Sequence, residues 1–371
     1  MSLREKIEAE IRRCGPIPFS RYMEMSLYDP DLGYYAAHTE QFGKAGDFYT
    51  SSDVHAVFGR LLARQFEEMW RALGSPAALQ ILELGPGRGL FAQDVLDWSE
   101  KKFPEFFAAT RYLLVEVSSA LRTRLGETLR RRTATGKAEI HNQLPAQLST
   151  PAIIFANEFF DALPVEVISQ RGELHIACEQ GRFLEGFVQP SAGALEYLDR
   201  YSVHPETGER VEAALAAKEH MRSIAQRLQR GFVIVIDYGY TRDEQLAGRH
   251  RGTVTAFRRH AISTSPYEAP GEQDITAHVN FTALQAAAGE SGLEPLALLT
   301  QAQFLMGIGE SNQFADAFEE ARLPQEKTKV ALQLKHLVTP AGMGESFHVL
   351  VMSKGVDAAS ARQLSGLKFA R

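Results

Sequence analysis

The stretch that decides the fold reads Glu83-Leu84-Gly85-Pro86-Gly87-Arg88-Gly89, and it stands between two different patterns of apolar residues. Leu79 to Leu84, immediately before it, is a short apolar run of the kind that forms a buried strand. From Leu90 to Lys101, immediately after it, apolar residues recur with helical spacing. Closely spaced glycines allow a tight turn between these elements and let a ligand approach the backbone. We therefore predict a strand, a glycine-rich turn and a helix.

The alternation of strand and helix continues beyond this stretch. Ser119 to Arg131 is predicted to be a helix, and Phe232 to Asp237 is apolar and β-branched, as expected of an interior parallel strand. Short strands that alternate with helices are typical of a parallel, doubly wound sheet, so we predict an α/β fold of the Rossmann-like type. The strands are expected at Leu79 to Leu84, Arg111 to Val117, Ala138 to His141, Ala152 to Ala156, Phe232 to Asp237, Leu296 to Thr300 and Phe347 to Met352.

Three segments depart from this alternation and define the predicted domains. Residues 1–75 appear mainly helical, and the helix from Val54 to Leu73 carries an apolar stripe. After Pro164, short strands and a helix from about Glu206 to Gln229 predict an insertion at about 165–230. A second insertion, residues 238–280, is predicted to be a long loop, and loops of that length are usually functional or disordered. We predict an N-terminal helical region, 1–75, and a second domain, 76–371, that contains both insertions.

Composition limits the classes of function. The 371 residues can form one large domain with insertions or two domains, and the net charge of −6 argues against general binding to nucleic acid. The two cysteines lack the spacing of a metal site, so no metal is predicted. No apolar run approaches the roughly 20 residues that span a bilayer, so no membrane insertion is expected. A cytoplasmic protein is the default expectation, or a protein of the mitochondrial matrix if the source is eukaryotic.

The spacing of the glycines distinguishes two classes of cofactor. A dinucleotide-binding turn has the pattern GxGxxG, but counted from Gly85 its third glycine would fall at Leu90. This chain has GxGxG, preceded by the acid Glu83. A pyrophosphate is bound by backbone N–H groups, whereas S-adenosylmethionine (SAM) carries ammonium and sulfonium groups that favour carboxylate oxygens. We therefore predict that SAM, rather than NAD, is bound by Glu83, Gly85, Pro86, Gly87 and Gly89.

A second acid supports the same prediction. Glu116 ends the next predicted strand, 27 residues after Gly89. In a sheet of this type, the acid at the end of the second strand reaches the ribose hydroxyls of the cofactor. We predict that Glu116 has this role; the alternative is a surface glutamate beside an ordinary turn.

With these residues established, the sequence resembles the MidA-like family of SAM-dependent methyltransferases, relatives of the mitochondrial complex I assembly factor that methylates an arginine of a complex I subunit. The resemblance spans nearly the whole chain. It is carried by Gly46-Asp47-Phe48-Tyr49-Thr50-Ser51, the glycine turn, Asn157-Glu158-Phe159-Phe160-Asp161-Ala162-Leu163-Pro164, Asp237-Tyr238-Gly239 and Asp274-Ile275-Thr276-Ala277-His278-Val279-Asn280-Phe281.

The resemblance implies a class I methyltransferase sheet, SAM as cofactor and a protein substrate that is a complex I subunit or a homologue; a homodimer stays open. Two positions depart from the family pattern. Ser52 stands where the family usually has proline. Asn280 stands where it usually has aspartate, which calls into question any role that requires a carboxylate at position 280.

The loop after the fourth strand contains the predicted acceptor residues. It lies at the carboxyl edge of the sheet, where open α/β sheets bind ligands. Glu158 and Asp161 are predicted to face the methyl group, because paired carboxylates match a guanidinium. Asn157 is predicted to contact the cofactor, or to accept the N–H of an amide or base amine. The alternative for this loop is a polar helix cap beside a pair of core phenylalanines.

Two further residues are candidates for proton transfer. Asp237 ends a central strand and is predicted to bind substrate or act as a base, with a structural cap on Tyr238 as the alternative. His278 has a side chain suited to proton uptake near neutrality, although a lone histidine is as often structural. The nearby Arg258, Arg259 and His260 are interpreted mainly as solvated loop charges.

The segment Gly46 to Ser51 is predicted to close over SAM as a lid, with Gly46, Tyr49 and Thr50 contacting the cofactor. Its alternative is a turn that leads into the long helix. Three other functions stay open at this point: a methyltransferase for a small molecule or another protein group, a non-catalytic assembly factor that binds SAM, and a dehydrogenase with an unusual glycine turn. A fold by itself does not identify the acceptor.

Overall fold

The structure is a computed structural model. It describes residues 1–36, 56–148, 150–258, 261–263 and 265–370. The chain divides into two compact units. Unit 1 comprises Met1–Phe48, Phe159–Ser223 and Gly239–Ala287, and unit 2 comprises Tyr49–Glu158, Ile224–Tyr238 and Ala288–Arg371.

The strands, in chain order, are β1 (Ile17–Pro18), β2 (Leu79–Leu84), β3 (Thr110–Val115), β4 (Ala138–His141), β5 (Ala152–Asn157), β6 (Glu166–Ser169), β7 (Gly172–Glu179), β8 (Arg182–Val188), β9 (Arg210–Ala213), β10 (Gly231–Tyr240), β11 (Thr255–Arg258), β12 (Ala261–Ile262), β13 (Asp274–Thr276), β14 (Val279–Asn280), β15 (Glu294–Thr300) and β16 (Phe347–Lys354).

The helices are α1 (Leu3–Cys14), α2 (Phe19–Tyr28), α3 (Ala56–Ala72), α4 (Leu90–Lys102), α5 (Pro104–Ala109), α6 (Ser119–Thr128), α7 (Arg130–Ala134), α8 (Ala192–Tyr201), α9 (Leu215–Arg227), α10 (Arg242–Leu246), α11 (Phe281–Gly289), α12 (Gln301–Glu310), α13 (Ala315–Phe318), α14 (Pro324–Val338) and α15 (Ala358–Ala361), with short 3₁₀ turns at Tyr34–Ala36 and Ser365–Leu367. None of the helices that the structure describes is long and apolar enough to cross a membrane.

Unit 2 is built around one mixed sheet with the strand order β15-β16-β10-β5-β2-β3-β4. The pairs from β4 to β10 are parallel, and β16 runs antiparallel to both of its neighbours. The chain fills one half of the sheet outward from β2 and then returns to fill the other half from β5. This reversal beside β2 is the position where doubly wound sheets bind ligands at the carboxyl ends of their strands.

The core of unit 2 explains why the sheet forms. In β10 and β5 the residues alternate to both faces and nearly all are buried, because helices cover both sides of the sheet. The predicted apolar stripe of α3 is confirmed, since all its members are buried: Val57, Leu61, Leu62, Phe66, Met69 and Trp70. At the start of α4, Phe91 stacks on Phe155 of β5 with ring centroids 4.5 Å apart. That contact fixes the first turn of α4 against the sheet.

Unit 1 has its own core and two smaller sheets. In one sheet, β7 pairs antiparallel with β8, β6 and β1, and β6 pairs with β9. In the other, β11 lies between β12 and β13. Residues from α1 and α2 pack with β6, β7 and β13 in one cluster of buried side chains. Within the same unit, Gly239 and Tyr240 pair in parallel with Val279 and Asn280.

Several predicted elements of the insertions were wrong. The predicted helix from 206 to 229 is the strand β9 followed by the shorter helix α9, and α8 was not predicted. The segment 238–280 is not a structureless loop, because it contains α10 and the strands β11 to β14. Strands as short as β9 and β11 carry little periodic signal of their own. The partner of β9 is β6, which precedes it in the chain beyond β7, β8 and α8. β11 pairs with β12, which follows it directly, and with β13.

Two predicted helices are also divided. The stretch from 303 to 336 forms α12, α13 and α14, because Phe314 adopts a left-handed backbone with φ of +57° and Pro324 begins a new helix. The predicted helix from Ser119 to Arg131 ends at Thr128 and is followed by the short α7. The strands of the unit 2 sheet lie where they were predicted, within a few residues at their ends.

The pairing of β10 with β5 gives a test of the fold. Gly231 has φ of +146°, and a Cβ there would lie 1.7 Å from the carbonyl oxygen of Ala152. Gly74 also has a positive φ, +83°, but nothing lies within 4 Å of its Cβ position. We expect Gly74→Ala to lower the free energy of unfolding by about 1 kcal/mol and Gly231→Ala by about 3 kcal/mol or more. Urea unfolding of both variants measures the difference, and equal losses would contradict the tight approach of the two strands.

Candidate functional site

The glycine turn follows β2 and needs glycine at three positions. Gly85, Gly87 and Gly89 have φ of +61°, +52° and +78°, in the left-handed region that other residues rarely adopt. Gly89 is the N-cap of α4, and its N–H donates to the carbonyl of Pro86 at 2.8 Å. A Cβ on Gly89 would lie 2.3 Å from Cδ1 of Leu125 in α6. The turn is therefore shaped by backbone geometry, and Gly85, its first glycine, is exposed.

Glu83 lies on β2 just before the turn and is buried, with 4% of its surface exposed. The hydroxyl of Tyr112, on the neighbouring β3, donates to Oε2 of Glu83 at 2.9 Å. Burial raises the pKa of the Glu83 carboxyl to about 8, although the bond from Tyr112 lowers it. Tyr112 was not predicted from the sequence. The only signal for it was its position on the strand next to β2.

Glu116 follows β3 directly and is also buried. Its Oε1 accepts the N–H of Ser118 at 2.8 Å, while Oγ of Ser118 accepts the N–H of Leu121 and caps α6. Burial raises the pKa of Glu116 to about 7, against the lowering effects of the Ser118 N–H and the Arg122 charge. The helix cap and the carboxylate are thus positioned by the same residue, Ser118.

Asn157 ends β5, and the next residue has an unusual backbone. Glu158 has φ of +51°, a left-handed conformation that costs a residue other than glycine about 1 kcal/mol or more. Its N–H donates to the carbonyl of Ile236 at 2.9 Å, and Nδ2 of Asn157 donates to Oε1 of Glu158 at 3.1 Å. Strain of this kind is common at functional sites because the surrounding structure must hold it in place.

Asp237 lies on β10, the strand next to β5, and none of its surface is exposed. Its Oδ1 accepts the N–H of Tyr238 at 3.0 Å. The ring of Tyr238 packs edge-on against Phe347 with centroids 5.5 Å apart. Asp237 therefore makes a structural hydrogen bond to Tyr238. It also lies near the end of a central strand, where sheets of this type bind ligands.

The carboxyl ends of the parallel strands of unit 2 bring these predicted residues to one edge of its sheet. That edge contains Glu83, the glycine turn, Glu116, Asn157 and Glu158, and Asp237 near the end of β10. The fit to SAM can be judged from the two buried acids. A cation beside Glu83 would offset the cost of ionising its carboxyl, and hydroxyl groups can donate to a carboxylate such as Glu116. The residues present therefore fit the cofactor.

Asp161, the last of the predicted carboxylates, lies in unit 1. Asp161 is 5% exposed, and its main-chain oxygen accepts the N–H of Ala277 at 2.9 Å. Nearby, the hydroxyl of Tyr35 donates to Oδ1 of Asp274 at 3.2 Å. The pKa of Tyr35 is well above its usual value, first because of burial and then because of the charges of Asp274 and Asp161. Asp274 and Tyr35 were not predicted as site residues, and their place beside Asp161 is a non-local contact.

Tyr35 is one of several tyrosines in this part of unit 1. The ring of Tyr28 lies 5.5 Å from that of Tyr35, and the ring of Tyr34 lies 5.3 Å from it, centroid to centroid. The hydroxyl of Tyr28 donates to the carbonyl of Ala162 at 3.0 Å. Two buried carboxyls therefore lie among aromatic rings, which is a suitable environment for a flat organic cation.

His278 has a partner that the sequence did not indicate. Nδ1 of His278 lies 3.1 Å from Nδ1 of His250. Burial, and to a smaller extent the neighbouring His250, lowers the pKa of His278 to about 4. The side chain is therefore neutral over the physiological pH range.

Asn280 has a structural role that accounts for the amide. Its Oδ1 accepts the N–H of Ala283 and caps α11, and its Nδ2 donates to the carbonyl of Tyr201 at 2.9 Å. Only 2% of the residue is exposed. A carboxylate could make the first bond but not the second.

The remaining predicted residues are outside the described part of the chain. These are Gly46, Tyr49 and Thr50 of the predicted lid, Ser52, and the loop residues Arg259 and His260. Over the residues that the structure describes, there is no group of three or more His, Cys, Asp or Glu side chains that could hold a metal ion.

Comparison with known proteins agrees with this geometry. The family model for S-adenosyl-L-methionine-dependent methyltransferases matches residues 61–299. The chain is similar to a Drosophila melanogaster protein named protein arginine methyltransferase NDUFAF7 homolog, mitochondrial, with 30% identity over 96% of this chain and 86% of the relative. The human protein arginine methyltransferase NDUFAF7, mitochondrial, is 27% identical over 92% of this chain and 81% of its own length.

Solved structures give the same result. A protein from Burkholderia thailandensis bound to S-adenosyl-homocysteine has a TM-score of 0.85 and 29% identity, covering 99% of this chain and 95% of its own. A native structure of a protein from the same organism has a TM-score of 0.81 and 29% identity, covering 99% and 94%. S-adenosyl-homocysteine is the product that remains when SAM has given up its methyl group.

The raised pKa of Glu83 predicts how stability depends on pH. In the unfolded chain this carboxyl titrates near 4.5, and in the folded chain near 8. The folded state holds the proton more tightly, so this contribution to stability is full below about pH 4.5 and is lost as pH rises through 8. We expect the free energy of unfolding of the ligand-free protein to fall from pH 5 to pH 9, and to fall less in Glu83→Gln.

Urea unfolding at each pH measures this slope. Glu127→Gln, at an exposed position of α6, is the control and should leave the slope unchanged. Identical slopes in the wild-type protein and Glu83→Gln would show that Glu83 does not titrate in this range.

Asn280 gives a second prediction. In Asn280→Asp the cap on α11 remains, but the carbonyl of Tyr201 loses its donor and faces a carboxylate. We expect a loss of about 1–3 kcal/mol in the free energy of unfolding at pH 7. The loss should shrink at low pH, because burial raises the carboxyl pKa and the protonated group can donate again. A variant as stable as the wild type at pH 7 would contradict the role of the amide.

Proposed function

Because the chain belongs to the family of S-adenosyl-L-methionine-dependent methyltransferases, we propose that the group it methylates is the guanidinium of an arginine in a protein substrate. The enzyme is a methyltransferase and SAM is its cofactor. The arginine acceptor is supported by the names of relatives that match over most of their length. The structural observation that supports it best is the pair of buried carboxyls, Asp161 and Asp274, beside Tyr35 in unit 1.

We assign the cofactor to the edge of the unit 2 sheet. Glu83 is proposed to face the cationic groups of SAM, and Glu116 to accept hydrogen bonds from its ribose hydroxyls. The turn from Gly85 to Gly89, which includes Pro86 and Gly87, is proposed to contact the cofactor through its backbone. Asn157 is proposed to add a polar contact at the end of β5. For Gly46, Tyr49 and Thr50 the proposed role is the lid predicted from the sequence.

When bound, SAM would supply a methyl group on a sulfonium sulfur. A nitrogen lone pair would attack the methyl carbon in line with the sulfur–carbon bond, and the sulfur would be the leaving group. The protein must therefore orient the nitrogen and accept one proton. Asp161, with Asp274, is proposed to bind the guanidinium, because carboxylates and aromatic faces both favour a planar cation. Glu158 is proposed as a third carboxylate for the acceptor. Its strained backbone is the reason to expect a functional rather than a structural role.

His278 is proposed as the proton acceptor, because a neutral imidazole can take up the proton that the nitrogen loses. Asp237 is proposed to support the acceptor from the end of β10. On the basis of the family resemblance, the proposed substrate is a subunit of respiratory complex I or a homologue of one. We also propose a domain boundary near residue 76, with insertions in the second domain at about 165–230 and 238–280. The cellular compartment stays a prediction.

Transfer of a labelled methyl group tests the proposal. The wild-type protein is incubated with labelled SAM and a lysate of the source organism, and mass spectrometry locates the label. We expect label on arginine. Asp161→Asn and Glu158→Gln should each lower kcat about 100-fold, because the acceptor loses an orienting or proton-handling group.

Glu127→Gln, with its exposed side chain, is the matched control and should leave kcat unchanged. Calorimetry should show S-adenosyl-homocysteine binding within about threefold of wild type in Asp161→Asn. Label found only on other residue types or on small molecules would overturn the arginine acceptor. Binding without any transfer would indicate a non-catalytic role.

A further inference from the structure

The side chains of Glu83 and Tyr112 meet inside unit 2, on two neighbouring parallel strands. Glu83 lies opposite Leu114 of β3, so Tyr112, two residues earlier on β3, projects from the same face of the sheet. Both side chains are buried. The hydroxyl of Tyr112 donates to Oε2 of Glu83 at 2.9 Å. This bond joins the end of β2, where the glycine turn begins, to the middle of β3.

Tyr112 is held in place by groups other than Glu83. Its backbone pairs with Ile81 of β2 on one side and with Ala138 of β4 on the other. Its ring belongs to a core cluster of unit 2. Burial, together with the charge of Glu83, keeps the pKa of the Tyr112 hydroxyl well above its usual value. The hydroxyl therefore stays protonated and remains a hydrogen-bond donor.

The Tyr112 hydroxyl engages one of the two oxygens of the Glu83 carboxyl. Oε2 accepts this bond, and across the residues that the structure describes no second donor is bonded to the carboxyl. Burial raises the pKa of Glu83 to about 8, and the bond from Tyr112 is the one influence that lowers it. In the absence of a ligand, the carboxyl is therefore mostly protonated at pH 7.

The strands on either side of Glu83 bring no charge to it. In the two strand pairs, Leu114 of β3 and Phe155 of β5 lie opposite Glu83, and both are apolar. At the start of α4, Phe91 stacks on Phe155. Within the described part of the chain, no charged group adds to the effects of burial and of Tyr112 on the Glu83 pKa. The positive charge that would favour ionisation of this carboxyl must therefore come from a ligand.

We propose that Tyr112 is a positioning residue that holds Oε2 of Glu83, so that Oε1 binds the ammonium group of SAM and the carboxyl gives up its proton when the cofactor binds. This rests on the proposed function, in which Glu83 faces the cationic groups of SAM. Of the two cations, the ammonium is the better partner, because its N–H groups can donate to a carboxylate oxygen and a sulfonium has none. The proton passes from Glu83 to the buffer.

A tyrosine suits this role better than a basic residue or an apolar one. Lysine or arginine beside Glu83 would lower the pKa of the carboxyl and neutralise the charge that the cofactor needs. Phenylalanine would leave the ionised carboxyl without a donor, which raises the cost of its charge. Tyr112 stabilises the ionised form with one hydrogen bond and adds no positive charge. The carboxyl therefore stays neutral until a cation binds beside it.

The proposal predicts how cofactor affinity depends on pH. Binding requires an ionised carboxyl, so each unit of pH below the pKa of about 8 costs about tenfold in affinity. We expect the Kd for S-adenosyl-homocysteine, which keeps the ammonium group, to fall about tenfold per pH unit between pH 6 and pH 7.5. In Glu83→Gln, which cannot ionise, the Kd should be nearly constant over the same range.

Calorimetry counts the protons directly. Titration of S-adenosyl-homocysteine into the full-length protein in buffers of different ionisation enthalpy gives the number of protons released. At pH 7 we expect the wild-type protein to release about nine-tenths of a proton more than Glu83→Gln, as follows from a pKa of about 8. The ligand's own ammonium group is common to both titrations and is largely charged at this pH.

Tyr112→Phe keeps the buried ring and removes the donor. The pKa of Glu83 should then rise by about one unit or more, and the Kd for S-adenosyl-homocysteine at pH 7 should rise about 10- to 100-fold. At pH 8, Glu83 should release about half a proton in the wild-type protein and nearly a whole proton in Tyr112→Phe. A loss of packing alone would weaken binding without changing the proton count.

Tyr22→Phe is the matched control. Tyr22 is also buried, and its hydroxyl donates to the carbonyl of Pro266 at 2.8 Å in unit 1. The variant loses a comparable hydrogen bond, but its Kd and its proton release should equal those of the wild-type protein. Carbon NMR of wild-type protein labelled at the glutamate carboxyls and the tyrosine Cζ atoms needs no variant. The signals of Glu83 and Tyr112 should both shift when S-adenosyl-homocysteine binds at pH 7, and unmoved signals would overturn the proposal.

The levels of the proposal fail separately. If Glu83→Gln binds and releases protons as the wild-type protein does, Glu83 does not face the cofactor, and the role of Tyr112 falls with that assignment. If Glu83→Gln binds weakly but the wild-type protein releases no more protons, the assignment of Glu83 stands and the proton release is wrong. If Tyr112→Phe matches the wild-type protein, the positioning role is wrong. The arginine acceptor is tested by methyl transfer alone, so none of these results decides it.

Discussion

The constraint on which unit 2 depends is the cost of burying carboxyl groups at the end of a parallel sheet. Glu83 and Glu116 are both buried, and burial raises the pKa of each well above that of an exposed glutamate. A fold stabilises such groups only with donors or with a cation. Tyr112 and the N–H of Ser118 supply donors, and Gly85, two residues after Glu83, is exposed. We have proposed that these carboxyls face the cofactor, whose cationic groups and hydroxyls would offset the cost of burying their charges.

Much of unit 2 could be predicted from the sequence because its signals are local. A buried parallel strand is a continuous apolar run, and a turn that requires positive φ requires glycine, so β2, β10 and the turn at Gly85 were all visible. The positions of Glu83 and Glu116 could be predicted for the same reason, since a doubly wound sheet places the ends of its strands together. Unit 1 was harder. β9 pairs with β6, which lies several elements earlier in the chain, and strands as short as β9 and β11 have no periodicity from which they could be predicted.

The partners of the site residues were missed for the same physical reason. His250 lies 28 residues before His278, Asp274 lies 239 residues after Tyr35, and Tyr112 is on a different strand from Glu83. These side chains acquire their roles only through tertiary contacts. Asn280 was noticed in the sequence because it stands where the family usually has aspartate. Its amide makes hydrogen bonds to Tyr201 and Ala283, and these bonds explain the residue. A residue that looks like a lost catalytic group is here a helix cap.

The close approach of Gly89 to Leu125 links two parts of the cofactor edge that are far apart in the sequence. Gly89 begins α4, while Leu125 lies on α6, the helix whose cap, Ser118, also holds Glu116. A side chain at 89 would collide with Cδ1 of Leu125, so the Leu125 side chain would have to move. Because Gly89 also has φ of +78°, a smaller residue at 125 would remove the collision but not the backbone strain of a side chain at 89. Two independent constraints, the backbone conformation and the packing of α6 behind the turn, therefore favour glycine at position 89 during evolution.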